Sequence, residues 1–252
     1  MKSVTDERPH PARFSPPVLD AIDPWLCRLA GDEEKMLRIL DPFAGVGGIH
    51  YFHEERGDDT IGLELEAEWA GQHPRNVVGD ATRPPFPKFS FDAIVTSPCY
   101  GNRMADVYDG RDGSTRRTYR ISLGRVPSSG SSAVMQWGST YRGLHERAWR
   151  ANYALLHAGG LFIVNISNHL RTLKSDDGQI EMHVTEWHMM TLSALGLRLL
   201  AAEPVGTARY GFGANGQDRA ESEFLLVFRK PSKPEAKAAR SDLVSSEQLA
   251  LL

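Results

Sequence analysis

The sequence predicts an α/β fold in which a seven-stranded, mostly parallel sheet carries helices on both faces. From Met36 onward, short apolar runs alternate with amphipathic stretches, and this alternation is typical of a parallel sheet covered by helices. The chain has 252 residues, which is enough for one large domain with a buried core. No internal repeat interrupts the alternation, so a repeat architecture is not expected.

The strands are predicted where short apolar runs lie between turn signals, at Leu37–Leu40, Thr60–Leu65, Asn76–Val78, Phe91–Thr96, Leu161–Ile166, Arg198–Glu203 and Phe224–Phe228. Helices are predicted where apolar residues recur at helical spacing, at Asp20–Leu29, Gly47–Arg56, Tyr141–His157 and Glu181–Leu195. The chain therefore divides into an N-terminal segment over 1–35, a main domain over 36–230 and a tail over 231–252. The tail is rich in Lys, Pro and Ala and is expected to be a flexible linker.

Composition excludes several classes of protein. The two cysteines, Cys27 and Cys99, are too few for a disulfide scaffold or a cysteine zinc site, and the histidines have no spaced partners for a metal. The N-terminus is charged and proline-rich, and no run of about 18 apolar residues occurs. We therefore expect a soluble cytoplasmic protein that holds no metal and does not contact membranes.

Charge is segregated along the chain. The formal net charge is only −3, so a polyanionic partner would have to meet a local basic patch. Gly101–Thr140 interrupts the alternation of strands and helices as a basic insert of about 40 residues, and loops of that length are usually functional or disordered. This insert and the connection Gly206–Ser222 both leave the carboxyl edge of the sheet. Because arginine suits phosphate contacts, the predicted nucleic-acid-binding residues are Arg103, Arg111, Arg116, Arg117, Arg120 and Arg209.

A glycine-rich turn follows the first predicted strand, and acidic residues follow the next two. The turn, Asp41–Gly48, reads Asp-Pro-Phe-Ala-Gly-Val-Gly-Gly, and glycines before a helix let the backbone approach a nucleotide-like ligand. Glu64, about 20 residues further on, lies where a carboxylate accepts bonds from ribose hydroxyls; Glu66 competes for this role. Asp80 ends the third strand, where it either binds an adenine amino group or caps a turn.

The Asp41–Gly48 sequence resembles the first motif of S-adenosylmethionine-dependent methyltransferases, especially those that act on nucleic-acid bases. His10–Ser15 is similar to the N-terminal cofactor motif of DNA amino-methyltransferases, while Leu155–Asn165 and Glu223–Pro231 resemble their fifth and last strands. The resemblance implies a Rossmann-like class I methyltransferase with S-adenosylmethionine as cofactor. The cofactor-binding residues it implies are Phe14, Asp41, Phe43, Ala44, Gly45, Gly47 and Glu64, and Asp80 is added to them from its place at the end of the third strand.

A tetrad, Ser97-Pro98-Cys99-Tyr100, follows the fourth strand. An exocyclic amino nitrogen is a poor nucleophile because its lone pair is delocalised into the ring. Hydrogen bonds from this amino group to the Ser97 hydroxyl and the Pro98 carbonyl would draw the nitrogen toward tetrahedral geometry. Tyr100 would stack on the base, which must leave its helix to reach the methyl donor.

The tetrad resembles the Ser-Pro-Pro-Tyr motif of DNA N4-cytosine methyltransferases, which favours N4 of cytosine over N6 of adenine. Cys99 departs from this motif, because the family has a second proline there, and the loop loses the rigidity of that ring. The chain carries no target-recognition domain of the size found in restriction-type enzymes. Sequence specificity would therefore come from the two loops, from a homodimer or from a partner protein.

Three alternatives remain open at this point. Cytosine C5 methyltransferases use a cysteine that follows a proline at this strand end, so Cys99 is a candidate nucleophile; they also need a glutamate at the fifth strand, and Phe162–Asn168 contains no acid. The substrate of an amino-methyltransferase could be RNA, because an insert rich in Arg and Tyr suits looped RNA. The chain could also be a catalytically silent subunit that binds nucleic acid or a partner enzyme.

Overall fold

The computed structural model describes residues 14–32, 35–102, 104–106, 118–172, 178–206, 223–232 and 235. Its main sheet has seven strands in the order β3-β2-β1-β4-β5-β9-β8. Their bounds are β1 Arg38–Asp41, β2 Asp59–Glu64, β3 Asn76–Val78, β4 Phe91–Thr96, β5 Leu156–Ile166, β8 Arg198–Val205 and β9 Glu223–Arg229. The two remaining strands, β6 His169–Thr172 and β7 Gln179–Met182, pair with each other in a separate hairpin.

All neighbours in the sheet are parallel except at β9, which runs antiparallel to both β5 and β8. The prediction of a seven-stranded, mostly parallel sheet is therefore confirmed. Successive strands are added on one side of β1 (β2, β3) and then on the other (β4, β5). Because these strands are parallel, the carboxyl ends of β1, β2, β3 and β4 meet at one edge. Ligands of open α/β sheets bind at this edge.

Helices cover both faces of the sheet. They are α1 Pro16–Ala30, α2 Tyr51–Arg56, α3 Ala67–Ala70, α4 Tyr119–Leu123, α5 Ser139–Leu155 and α6 Val184–Ala194. Strand residues alternate between the two faces: Ile163 packs in the same cluster as Ile22 of α1, whereas Phe162 packs in the same cluster as Trp149 of α5 and Leu192 of α6.

Several boundaries differ from the sequence prediction, and the largest shifts extend α1 to Pro16–Ala30 and β5 to Leu156–Ile166. The helix expected over Tyr141–His157 ends at Leu155, because Leu156 already pairs with Phe91 in the sheet. The helix expected from Glu181 begins at Val184, since Glu181 pairs with Leu170 in the β6–β7 hairpin. Within Gly47–Arg56, a turn of 3-10 helix over Gly48–His50 precedes α2. The hairpin and the short helices α3 and α4 were not predicted from the apolar pattern.

Among the described residues, no helix is long and apolar enough to cross a membrane. Four parts of the chain lie mainly outside the described residues: the predicted N-terminal motif, positions 103 and 107–117 of the 101–140 insert, the Gly206–Ser222 connection and the tail.

Buried histidines make the fold sensitive to acid, and His145 and His50 are two of them. His145 is fully buried on α5, and His50 is buried beneath the glycine-rich turn. Burial lowers the pKa of each ring to about 4, because the charged form is poorly solvated there. In the unfolded chain the rings protonate near the ordinary histidine value of about 6.5. The stability that depends on their neutral forms is therefore complete above that value and is lost as the pH falls toward 4.

We expect His145→Phe to reduce this acid sensitivity. Between pH 7 and pH 4.5 the wild type should lose about 2 kcal/mol more of its free energy of unfolding than the variant. Urea denaturation at the two pH values measures this difference. The exposed His157→Phe serves as the control and should keep the wild-type pH dependence. Parallel losses in the wild type and H145F would contradict a buried, neutral His145.

Candidate active site

The ends of β1 and β4 are joined by a buried hydrogen bond. The Thr96 hydroxyl donates to Asp41 Oδ1 at 2.6 Å, and the backbone N–H of Phe43 donates to the same oxygen at 3.0 Å. Asp41 is 2% exposed. Its burial raises the pKa of the carboxyl to about 7, with a smaller contribution from the nearby Glu64. The carboxyl therefore changes charge near neutral pH.

The glycine-rich turn is held by His50 and Asn76. Gly47 has φ of 91°, and a Cβ there would lie 2.5 Å from His50 Cδ2, so only glycine fits. His50 Nε2 lies 2.8 Å from Asn76 Oδ1, and Asn76 Nδ2 donates to the Gly45 carbonyl at 3.2 Å. Gly47 thus allows the turn to pack against His50, while Gly45 lines the cleft described below.

Glu64 organises the carboxyl edge of β2. The N–H of Gly45 donates to its Oε2 and the N–H of Glu66 donates to its Oε1, each at 2.8 Å. The carboxylate is 8% exposed, and burial raises its pKa. Glu66 is only 1% exposed, and its carboxylate bonds Arg125 and Ser128 of the insert. Of the two competing glutamates, Glu64 therefore lines the cleft, whereas Glu66 ties down the insert.

The cleft consists of two adjoining cavities at this edge. The first, of about 520 Å³, is lined by all four tetrad residues and is called the tetrad cavity. The second, of about 620 Å³, is lined by Glu64 and is called the Glu64 cavity. Both are lined by Phe43, Ser97 and Tyr119. An elongated ligand can therefore extend from one cavity into the other.

All of the predicted cofactor residues except Gly47 line one or both of the cavities. Those that line the tetrad cavity are Phe14, Asp41, Phe43 and Ala44. Those that line the Glu64 cavity are Phe43, Gly45, Glu64 and Asp80. Asp80 also caps a turn, because its Oδ1 accepts bonds from the N–H and the hydroxyl of Thr82, both at 2.8 Å. Both of its expected roles are thus compatible with the geometry.

Three polar or aromatic residues of the site were missed in the sequence. Tyr119 lines both cavities and packs edge-on against Trp69, with ring centroids 5.0 Å apart. The side-chain amide of Asn165 donates to Ser97 Oγ at 3.3 Å and to Glu223 Oε2 at 2.8 Å. Glu223 is the first residue of β9, and the antiparallel direction of that strand brings it to the ligand edge. No local sequence signal marks these residues, because strand pairing and the fold of the insert place them.

The described part of the insert closes over the Glu64 cavity. Gly130, Ser131 and Ser132 line that cavity. Arg125 Nη2 lies 2.7 Å from Glu66 Oε2 and 2.7 Å from Glu68 Oε2, so this arginine is held against the protein. Arg120 is exposed on α4. The other predicted nucleic-acid contacts, Arg103, Arg111, Arg116, Arg117 and Arg209, lie outside the described residues.

Comparison with known proteins gives structural matches alone. No family model matches the chain, and no curated protein matches it. A SAM-dependent methyltransferase from Methanosarcina mazei is similar over 88% of this chain and 100% of its own, with 11% identity and a TM-score of 0.51. A geranyl diphosphate methyltransferase in complex with GPP and sinefungin is similar over 84% of this chain and 78% of its own, with 13% identity and a TM-score of 0.51. The chain therefore has the Rossmann-like fold of SAM-dependent methyltransferases.

We expect Glu66→Gln to loosen the insert. The substitution weakens the buried acceptor that joins Arg125 and Ser128 to the end of β2, and it should lower the free energy of unfolding by about 1–3 kcal/mol. Glu68→Gln is the matched control, because Glu68 pairs with the same arginine from an exposed position and should have a smaller effect. Urea denaturation measures both values. Equal effects would show that Glu66 is no anchor.

Proposed function

We propose that the protein is an S-adenosylmethionine-dependent methyltransferase that modifies an exocyclic amino group of a flipped nucleic-acid base. The favoured target is N4 of cytosine in DNA, ahead of N6 of adenine. One observation carries the proposal: the Glu64 carboxylate, the glycine-rich turn and the Ser-Pro-Cys-Tyr tetrad all line one continuous cleft. The methyltransferase fold of the chain supports it, as does the sinefungin in the geranyl diphosphate methyltransferase complex, since sinefungin is an analogue of S-adenosylmethionine.

The residues of the cleft fit this cofactor. The Glu64 carboxylate accepts the backbone N–H groups of Gly45, Glu66 and Leu65. Since its two oxygens carry about four acceptor positions, it retains a lone pair for a ribose hydroxyl. Asp80 and Gly79 line the Glu64 cavity, and an adenine ring would lie beside them. Asp41 is the acidic residue in the lining of the tetrad cavity, and it would face the positively charged methionine end. When bound, the cofactor supplies an activated methyl group on a sulfonium.

The tetrad supplies the acceptors that the reaction needs. Ser97 Oγ already accepts one bond from Asn165 and retains one lone pair and its O–H. It can therefore accept a bond from the amino group of the base and donate one to the neighbouring ring nitrogen. The Pro98 carbonyl takes the second amino hydrogen, and the Tyr100 ring stacks on the base. The amino nitrogen would take the methyl group as the carbon–sulfur bond of the donor breaks and its electron pair stays on the sulfur of the departing thioether, and the nitrogen would release one proton to water.

The geometry favours amino methylation over attack by Cys99. A C5 mechanism needs an acid on the pyrimidine ring, and the acid that is linked to the tetrad through the Asn165 amide is Glu223. Its Oε2 accepts a bond from Asn165, and Glu223 is not among the residues that line either cavity. Cys99 packs with Trp69 and Tyr119, as expected of a small residue that replaces proline.

Two other functions are separated from this one by experiment. An RNA amino-methyltransferase would use the same tetrad on a looped strand, and a silent subunit would bind the cofactor without transferring its methyl group. The preference for DNA rests on the resemblance of the tetrad to the Ser-Pro-Pro-Tyr motif. The proposed setting is the cytoplasm, with specificity supplied by the loops, a homodimer or a partner protein.

Methyl transfer tests the proposal directly. The purified protein is incubated with labelled S-adenosylmethionine and either DNA or RNA, and the products are digested to nucleosides and analysed by mass. We expect N4-methylcytosine from DNA. Label found only in RNA would identify RNA as the substrate and contradict the preference for DNA. The appearance of 5-methylcytosine, abolished by Cys99→Ser, or cofactor binding without any transfer, would refute the proposal.

We expect Tyr100→Ala to reduce turnover by about tenfold to a hundredfold, because the base loses its stacking face. Cofactor affinity, measured by calorimetry, should change less than twofold. Tyr100→Phe keeps the ring and should retain more turnover than Y100A. A similar loss of cofactor affinity and turnover in Y100A would contradict the assigned role.

Cofactor affinity should depend on pH through Asp41. The pKa of this carboxyl is raised to about 7 by burial, and the ionised form attracts the cationic methionine end. Below pH 7 binding must first remove a proton, so affinity should fall by up to about tenfold per pH unit. Asp41→Asn should bind more weakly at pH 8 and lose the wild-type slope between pH 5.5 and 7. Calorimetric titrations that give equal slopes in the two proteins would exclude Asp41.

A further inference from the structure

The backbone carbonyl of Cys99 is held by a hydrogen bond from a buried tyrosine. The Tyr141 hydroxyl of α5 donates to the Cys99 carbonyl oxygen at 2.8 Å. Tyr141 has no exposed surface, so solvent does not compete for this bond. It is strong for a neutral pair because its length is near the optimum for O–H···O geometry.

The direction of the hydrogen bonds beneath Tyr141 follows from the chemistry of its partners. Trp149 Nε1 lies 3.0 Å from His188 Nδ1, and an indole N–H can only donate. His188 must therefore accept at Nδ1 and carry its proton on Nε2. That nitrogen lies 3.0 Å from the Tyr141 oxygen and donates to it, which leaves the tyrosine hydrogen for the Cys99 carbonyl.

Trp149, His188 and Tyr141 form a chain of hydrogen bonds, called the relay, in which each residue donates to the next and Tyr141 donates to the Cys99 carbonyl of the tetrad. All three are fully buried. Burial lowers the pKa of His188 well below its ordinary value and raises that of Tyr141 well above it. The relay therefore remains neutral, with the same bond directions, around neutral pH.

A second bond restrains the other side of Tyr100. The ring of His169, at the start of β6, hydrogen-bonds the backbone of Tyr100. The relay fixes the peptide that precedes Tyr100, and His169 contacts the backbone of Tyr100 itself. Position 99 lacks the ring that would restrict φ, so these bonds supply the restraint from outside the loop.

We propose that Tyr141 is a positioning residue, which, supported by His188 and Trp149, holds the Cys99–Tyr100 peptide so that Pro98 and Tyr100 meet the target base. The hydrogen bond to the Cys99 carbonyl takes the place of the stiff proline found in the related motif. This inference rests on the methyltransferase function proposed above and adds residues outside the cleft to it.

Tyr141→Phe tests the relay, because it removes only the hydroxyl and keeps the packed ring. Tyr153→Phe is the matched control, since it removes a hydroxyl from the same helix outside the relay. Two experiments are made on both variants and the wild type. The first determines kcat and cofactor Kd with the nucleic-acid substrate, and the second follows hydrogen exchange of the peptide that covers residues 97–101. The second measurement requires no activity.

In Y141F we expect kcat to fall by about tenfold to a hundredfold, with a cofactor Kd within twofold of the wild type. Hydrogen exchange in residues 97–101 should become about threefold to tenfold faster. In Y153F, neither kcat nor the exchange rate should change. Adding Cys99→Pro to Y141F should raise kcat, because the ring restores the restraint. Unchanged exchange in Y141F, or equal losses of kcat and cofactor affinity, would overturn the inference. A wild-type protein without transfer activity would refute the proposed function, while the exchange measurement would still decide the restraint.

Discussion

The site depends on the hydrogen bond between Thr96 and Asp41. These residues end the two central parallel strands, β4 and β1, and the segments that follow them are the tetrad and the glycine-rich turn. This buried bond of 2.6 Å joins the two chemical halves of the cleft where the paired strands β1 and β4 end. Because its acceptor is a carboxyl whose pKa is raised to about 7, the same contact links the geometry of the cleft to its charge.

Around this bond, each functional loop is held by a separate buried network. Glu64 and Asn76 hold the glycine-rich turn by its backbone, Glu66 holds the insert, and Tyr141 holds the tetrad. Each network uses a side chain from a neighbouring element to bond main-chain atoms. Such anchors allow loops to keep one conformation at a cleft where ligands must displace water.

The sheet, its order of apolar strands and most of the cleft could be predicted from the sequence, because apolar periodicity and glycine motifs are local signals. The strand at Asn76–Val78 has the bounds that its pattern indicates. Glu223, Tyr119 and the β6–β7 hairpin could not be predicted, because an antiparallel strand, an irregular insert and a long-range pairing bring them to the site. The choice between Glu64 and Glu66 also required the fold, since the two differ only in what their carboxylates contact.

The central claim is that one cleft holds the methyl donor with its sulfur next to the tetrad. A crystal structure of the protein with S-adenosylhomocysteine tests it most directly. We expect ribose hydroxyls on Glu64, the adenine beside Asp80, and the sulfur between Asp41 and Ser97. A ligand bound in the opposite direction, with its adenine beside Tyr100, or bound outside the cleft, would contradict the account.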